Sequence, residues 1–212
     1  MMNRLKNFLF LLVVTISTAH ARTPIRQWLT AMPDSVMLLL TKNNRLDFID
    51  FHDSNMEAVV TNRLDGRSCM DTLTDDYLLI NYTRSCDVAM KLLPMNDTTD
   101  VLCMVTTMKA SVPDSRVAFF DEAWQPLPSE LFFVEPVLSD FRSAERSDSA
   151  DVAWRKMDIF FKTYHFGAES TSLTCRLETL GYLGRDERKA VAPYIVADSL
   201  KYVWAEGRFV RE

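Results

Sequence analysis

Four apolar runs of strand length crowd between Tyr77 and Phe120: Tyr77–Thr83, Cys86–Leu93, Val101–Thr107 and Ser115–Phe120. The links between them are turns, so the pattern predicts an antiparallel meander. In the second run Cys86, Val88, Met90 and Leu92 alternate with Asp87, Ala89 and Lys91. That alternation predicts one face in the core and one in water. The third and fourth runs are apolar on both faces and need a layer above and a layer below. The N-terminal third and the chain after Ser139 are the segments available as cover. Any apolar face they leave open would be a binding surface.

The remaining chain supplies short elements. Thr23-Pro24 reads as N-cap and first helical position, with Ile25, Trp28, Leu29 and Met32 on one helical face and Pro33 ending the run. A second short helix is predicted from Asp34 or Ser35 to Leu40, and a third capped by Asn44 with Leu46, Phe48, Ile49 and Phe51. Ala58–Thr61 and Ser68–Thr74 form a hairpin about Asp65-Gly66, with Asp75-Asp76 as the next turn. After Trp124–Leu127 and Leu131–Leu138, residues Ser139–Asp151 are polar without apolar periodicity and read as a mobile loop or internal boundary. Ile159–Phe166, Ser172–Leu180, Lys201–Trp204 and Arg208–Val210 read as strands, and Asp186–Val191 as a short helix ended by Pro193. The whole is an α+β fold: a large antiparallel sheet with short helices, mainly from the N-terminal third, packed on it.

The first 21 residues read as a cleaved export signal. Arg4 and Lys6 form the positive region, Phe8–Val14 the apolar stretch and Ala19-His20-Ala21 the cleavage motif, so the mature chain begins at Arg22 as one domain, 22–212. Removing the two cations takes the formal charge from −5 to −7. That acidity excludes nucleic acid and anionic lipid as natural partners. No second apolar run is long enough to span a membrane, and the chain is expected to be periplasmic or secreted and soluble. Cys69, Cys86, Cys103 and Cys175 permit two disulfides in three pairings, or serve as small core hydrophobes.

Catalytic signatures are absent from the sequence. It has no G-x-S-x-G, H-E-x-x-H, P-loop or dinucleotide fingerprint, no C-x-x-C pair, and only His52 and His165 beyond the leader. No cofactor is implied. Asp47, Asp50 and His52, with Asp53, form a weak candidate cation site on a helix, set against the plainer reading of a solvated helix face. Met90, Met95, Met104 and Met108 are irregularly spaced and read as core filling. Trp124, Trp204, Tyr202 and Phe209 sit at strand ends and turns, where they could line a sugar- or peptide-binding groove or simply edge the core.

The runs Leu40–Phe51, Asn62–Gly66, Leu73–Leu78, Met90–Pro94 and Asp114–Phe120 with Trp124, followed by Tyr202-Val-Trp204, together resemble a family of uncharacterised exported proteins of Gram-negative gut bacteria. That resemblance spans nearly the whole mature chain. It implies export and an α+β unit, and it carries over no catalytic residue and no reaction. The reading that follows is an exported, non-enzymatic protein that binds a protein, peptide or glycan in the cell envelope. The alternatives are an envelope hydrolase acting on glycan or peptide through carboxylates, and an inhibitor presenting Ser139–Asp151.

Overall fold

Side-chain alternation along one sheet divides the molecule into two cores, one on each face. The computed structural model describes residues 22–145, 147–167 and 169–212, so the leader and its cleavage motif lie outside the described residues. Strands β1 (Ala58–Thr61), β2 (Arg67–Leu73), β3 (Tyr77–Thr83), β4 (Cys86–Pro94), β5 (Asp100–Met108), β6 (Asp114–Phe120) and β7 (Pro126–Leu127) form a seven-stranded antiparallel meander in sequence order. A second, four-stranded antiparallel sheet has the order β11-β10-β9-β8, from β8 (Lys162–Phe166), β9 (Ser172–Leu177), β10 (Ser199–Ala205) and β11 (Arg208–Arg211). Helices α1 (Ile25–Ala31), α2 (Lys42–Asp53), α3 (Asp148–Trp154) and α4 (Arg185–Val191) complete the α+β fold.

The central ladder, β4 on β5, runs unbroken from Cys86↔Met108 to Pro94↔Asp100. With no bulge, alternate side chains keep to their faces over its full length. Cys86, Val88, Met90, Leu92 and Leu102 join Ile25, Trp28, Leu29 and Phe48 in the core beneath α1 and α2. Leu93, Val101, Cys103, Val105 and Phe119 point the other way, into a core shared with Tyr164, Leu173, Cys175, Leu200, Tyr202 and Phe209 of the second sheet. The cover thus comes from the N-terminal helices on one side and, on the other, from the chain after Ser139 together with Phe132 and Phe133, which precede it.

Several local expectations are corrected. Helix α1 is capped by Pro24, and its Ile25 N–H donates to Asp75 O at 2.8 Å, a carbonyl in the β2–β3 turn. Residues 34–40 form turns and no helix. There Arg45, 1% exposed, donates from Nε to Leu29 O (3.0 Å), from Nη1 to Leu40 O (2.8 Å) and Asp34 Oδ1 (2.9 Å), and from Nη2 to Met32 O. One guanidinium therefore takes the place of the intrahelical partners those carbonyls lack. Helix α2 begins one turn before Asn44: Thr41 is its N-cap, and Asn44 closes a reciprocal capping box.

The face of β4 expected in water is covered at Lys91, which is only 1% exposed. Its Nζ sits 2.9 Å from Asp76 Oδ2 and 5.7 Å from the Tyr77 ring centroid, while its stem lies along the sheet. The polar stretch 139–151 also holds ordered elements. Phe141 is fully buried at the end of a 3₁₀ turn, Arg142 bridges to Ile195 and lies over Trp154, and Ser147 caps α3. The fully buried residues of α3 are Ala150 and Ala153, too small to signal a buried face in the sequence, and Trp154 packs partly buried beside them. All four cysteines are free thiols.

Candidate functional site

Cover of the meander is uneven. Strand β8 packs against β5 and β6, where Tyr164 N–H donates to Ser115 Oγ (3.3 Å) and Lys162 N–H to Asp114 Oδ1 (3.2 Å). These two bonds satisfy the outer edge of β8 and fix where the second sheet stops. Tyr77 and Leu79 of β3 still lie beside Phe166 of β8, but Val59 of β1, Cys69 of β2, and Asn81 and Thr83 of β3 lie beyond it, half-buried on the face opposite the helices. Bulges at Met70/Thr72 and Asn81/Thr83 add twist to the same strands.

A groove of about 630 Å³ opens at the end of this face where the β1–β2 and β3–β4 turns meet. Its apolar lining includes Leu39 and Leu64, the latter 74% exposed. Asn62, Asn81 and Thr83 supply neutral polar groups, and Arg67, Arg84, Lys109, Glu57 and Asp71 charge the rim. The rim is fixed by Asn62, whose Oδ1 accepts from Leu64 N (3.0 Å) and Gly66 N (3.1 Å) while Nδ2 donates to Ser68 Oγ (3.0 Å). Asp65 takes the left-handed conformation, φ 56°, that this turn requires. Lys109 is held to Asp87 at 2.6 Å, and Arg67 pairs with Glu57. Burial, and then Asp71, push the Cys69 thiol above its ordinary range, so the thiol form dominates in the groove.

The aromatic residues read as binding candidates divide between the cores. Trp124 is buried under the helices, edge-on to Trp28 with ring centroids 6.2 Å apart, and its Nε1 donates to Trp28 O at 3.1 Å. Trp204, Tyr202 and Phe209 come together in the other core. There Trp204 stacks on Phe132 and meets Phe209 edge-on, and its Nε1 donates to Pro94 O at 2.7 Å. Tyr202 and Phe209 also line a second groove of about 360 Å³ beside the exposed Leu131 and Val134. Asp47, Asp50, His52 and Asp53 all lie on the exposed side of α2, where Arg26 engages Asp53 through two bonds of 3.0 and 3.2 Å and draws its carboxyl below the usual range. Among the described residues no three His, Cys, Asp or Glu side chains converge as metal ligands.

Sequence reasoning missed the groove residues themselves. Asn62 was visible only as part of a turn, and Cys69 only as one of four cysteines. Their shared surface depends on where β8 stops. A third cavity, of about 550 Å³, lies at the opposite end of the meander and is lined in part by Asp75, Asp76 and Asp100. Burial raises the Asp100 carboxyl above the ordinary range, against the pull of Arg22.

The fold defines a class: a seven-stranded meander clasped between short helices and a smaller antiparallel sheet. Residues 17–209 match the family model described as "Protein of unknown function (DUF3256)", and the chain belongs to that family. It is also similar to the solved structure of a domain of an uncharacterized protein from Porphyromonas gingivalis W83, with a TM-score of 0.80 and 26% identity over 89% of this chain and 98% of that one. No curated protein matches the chain. Among the described residues no helix is long and apolar enough to cross a membrane.

Proposed function

We propose that this is an exported protein that binds an extended peptide or glycan partner in the cell envelope, without turning it over, through the groove on β1–β3. The observation that carries this reading is the half-buried face that β1, β2 and the end of β3 present opposite the helices. A sheet face left open beside a groove of about 630 Å³, with apolar walls and several neutral amide and hydroxyl groups, has the makeup of a ligand site. Asn62 already fixes the turn at the groove's rim, so a ligand meets that wall with little ordering cost. Nothing of the same kind gathers at the exposed acids of α2.

The test is a thermal-shift panel of envelope glycans and extended peptides on the chain beginning at Arg22. A ligand near a hundredfold its Kd stabilises by about 2.7 kcal/mol. For a domain of this size that is roughly 5–10 °C. Asn81→Arg, which fills the groove without touching either core, is expected to abolish the shift. Shifts that persist in Asn81→Arg sink the groove assignment, and turnover of a bound ligand returns the hydrolase reading. Fractionation of a producing cell tests export separately.

A further inference from the structure

Strand β8 crosses the meander at an angle. Its Lys162 and Tyr164 N–H groups reach Asp114 and Ser115 of β6, whereas the Phe166 ring lies edge-on to Tyr77 of β3, with centroids 6.2 Å apart. The β8–β9 ladder decides which backbone groups face outward. Gly167 N–H donates to Ser172 O (3.0 Å) and Glu178 N–H to Phe161 O (2.9 Å), so the odd-numbered residues of β8 bond to β9 and the even-numbered ones turn away from it. Asp114 and Ser115 therefore satisfy that outer edge only as far as Tyr164. Past it, the Phe166 N–H and the carbonyls of Tyr164 and Phe166 have no partner among the described residues.

A cavity of about 180 Å³ opens along this stretch of edge, between Tyr164–Phe166 and a floor that includes Leu79, Asp87, Ala89 and Thr107. The floor runs on into the groove. Asp87 in the cavity stands opposite Asn81 in the groove, and the cross-strand row Thr107, Asp87, Asn81, Cys69, Val59 continues to the first strand. At about 4.8 Å per strand that row is ~19 Å long, the reach of roughly six extended residues.

We propose that a partner protein supplies the next strand: an extended peptide that pairs with Tyr164 and Phe166 as a fifth strand of the second sheet and lies along this row into the groove. The inference rests on the groove reading above and narrows its ligand to a polypeptide. An open strand edge recognises N–H and C=O groups at backbone spacing, and a glycan has no such backbone. Cross-strand neighbours share a face, so the guest residue opposite Phe166 points at the meander, where Leu79 and Ala89 make an apolar seat. The guest residue two further on falls over Asn81 and Cys69. Those between face water, as His165 does. None of the bonds that hold β8 to β6 has to break.

The test selects linear dodecapeptides displayed on phage against the chain beginning at Arg22, and the peptides recovered are synthesised with both ends capped. Their sequences are expected to alternate apolar and polar residues, and Asn81→Arg should abolish their binding. Methylating one backbone nitrogen at a time should weaken binding about tenfold or more at alternate positions and less than about twofold between them, because only one edge of the guest faces β8. Hydrogen exchange of the Phe166 amide should slow by about tenfold or more when the peptide saturates the protein, while the Lys162 amide, already bonded to Asp114, changes little. Peptides that Asn81→Arg blocks but whose methylation losses do not alternate, or that leave the Phe166 amide exchanging as before, overturn the added strand and leave the groove standing. So do glycans that bind there when no peptide is recovered. If neither peptides nor glycans bind in a way that Asn81→Arg abolishes, the groove reading fails and the strand with it.

Discussion

Two buried cations contribute unequally to this fold, and single substitutions separate them. Arg45 donates to three backbone carbonyls, those of Leu29, Met32 and Leu40. Truncation would leave those acceptors buried and unpaired, so Arg45→Met is expected to cost about 3–5 kcal/mol in urea denaturation. Arg45→Lys should recover less than half of that, because one ammonium cannot reproduce a fork that reaches three carbonyls and Asp34. Full rescue by lysine would show that charge alone matters there. Lys91 differs because its partner Asp76 is 48% exposed at the side chain. Removing the ammonium returns Asp76 to water, so Lys91→Met is expected to fall within about 1 kcal/mol of neutral. Asp76→Ala takes the carboxylate away from this buried ammonium while leaving its Tyr77 ring contact, and should cost about 3 kcal/mol in the same assay. A reversed order would mean that the lysine contributes more than a buried stem with a paired tip.

Besides their shared apolar core, helix α2 and strand β1 are joined by one polar side chain. Thr41 Oγ1 accepts from Asn44 N–H (3.1 Å), Asn44 Oδ1 accepts from Thr41 N–H (3.0 Å), and Asn44 Nδ2 donates to Thr61 O (3.3 Å) at the free edge of β1. Thr41→Ala should cost about 1 kcal/mol, as caps do. Asn44→Ala should cost more, since it loses the cap and uncovers the edge, and the double variant should fall short of the sum. Additive losses in urea titrations would show that the two residues act separately. The same elements mark how far the sequence could be read. The alternation Cys86, Val88, Met90, Leu92 marked the face of β4 that is buried under the helices, because successive side chains of a strand take opposite faces. The cap of α2 was misplaced because Thr41 and Asn44 both suit the role, and only backbone geometry shows that they share it. Lys91 read as solvent-facing because its partner Asp76 lies in a turn that meets it only after folding. The groove was foreseen solely as a conditional: an apolar face left without cover. Its position depends on two side chains, Asp114 and Ser115, bonding to the edge of a strand about fifty residues away.

Because the meander contributes one face to each core, neither core can come apart without disturbing the sheet between them. Cys103 leaves β5 toward the second sheet, and Cys175 leaves β9 toward the meander, so both thiols report on the same interior from opposite walls. Burial holds Cys175 up at about 12 and Cys103 well above the ordinary thiol range. Neither presents thiolate at neutral pH until the structure opens. Cys69, half-exposed in the groove, should alkylate first under native conditions, although slowly because its thiol is also raised. Cys103 and Cys175 should then label together, with the same urea dependence as loss of secondary structure, as expected when exchange requires global unfolding. Labelling of Cys175 well before Cys103 would show the second sheet detaching by itself, with its face of β5 exposed. Coincident labelling makes the two sheets one cooperative unit, and the open face of β1–β3 is then a standing feature of the folded protein, available to a partner without any prior rearrangement.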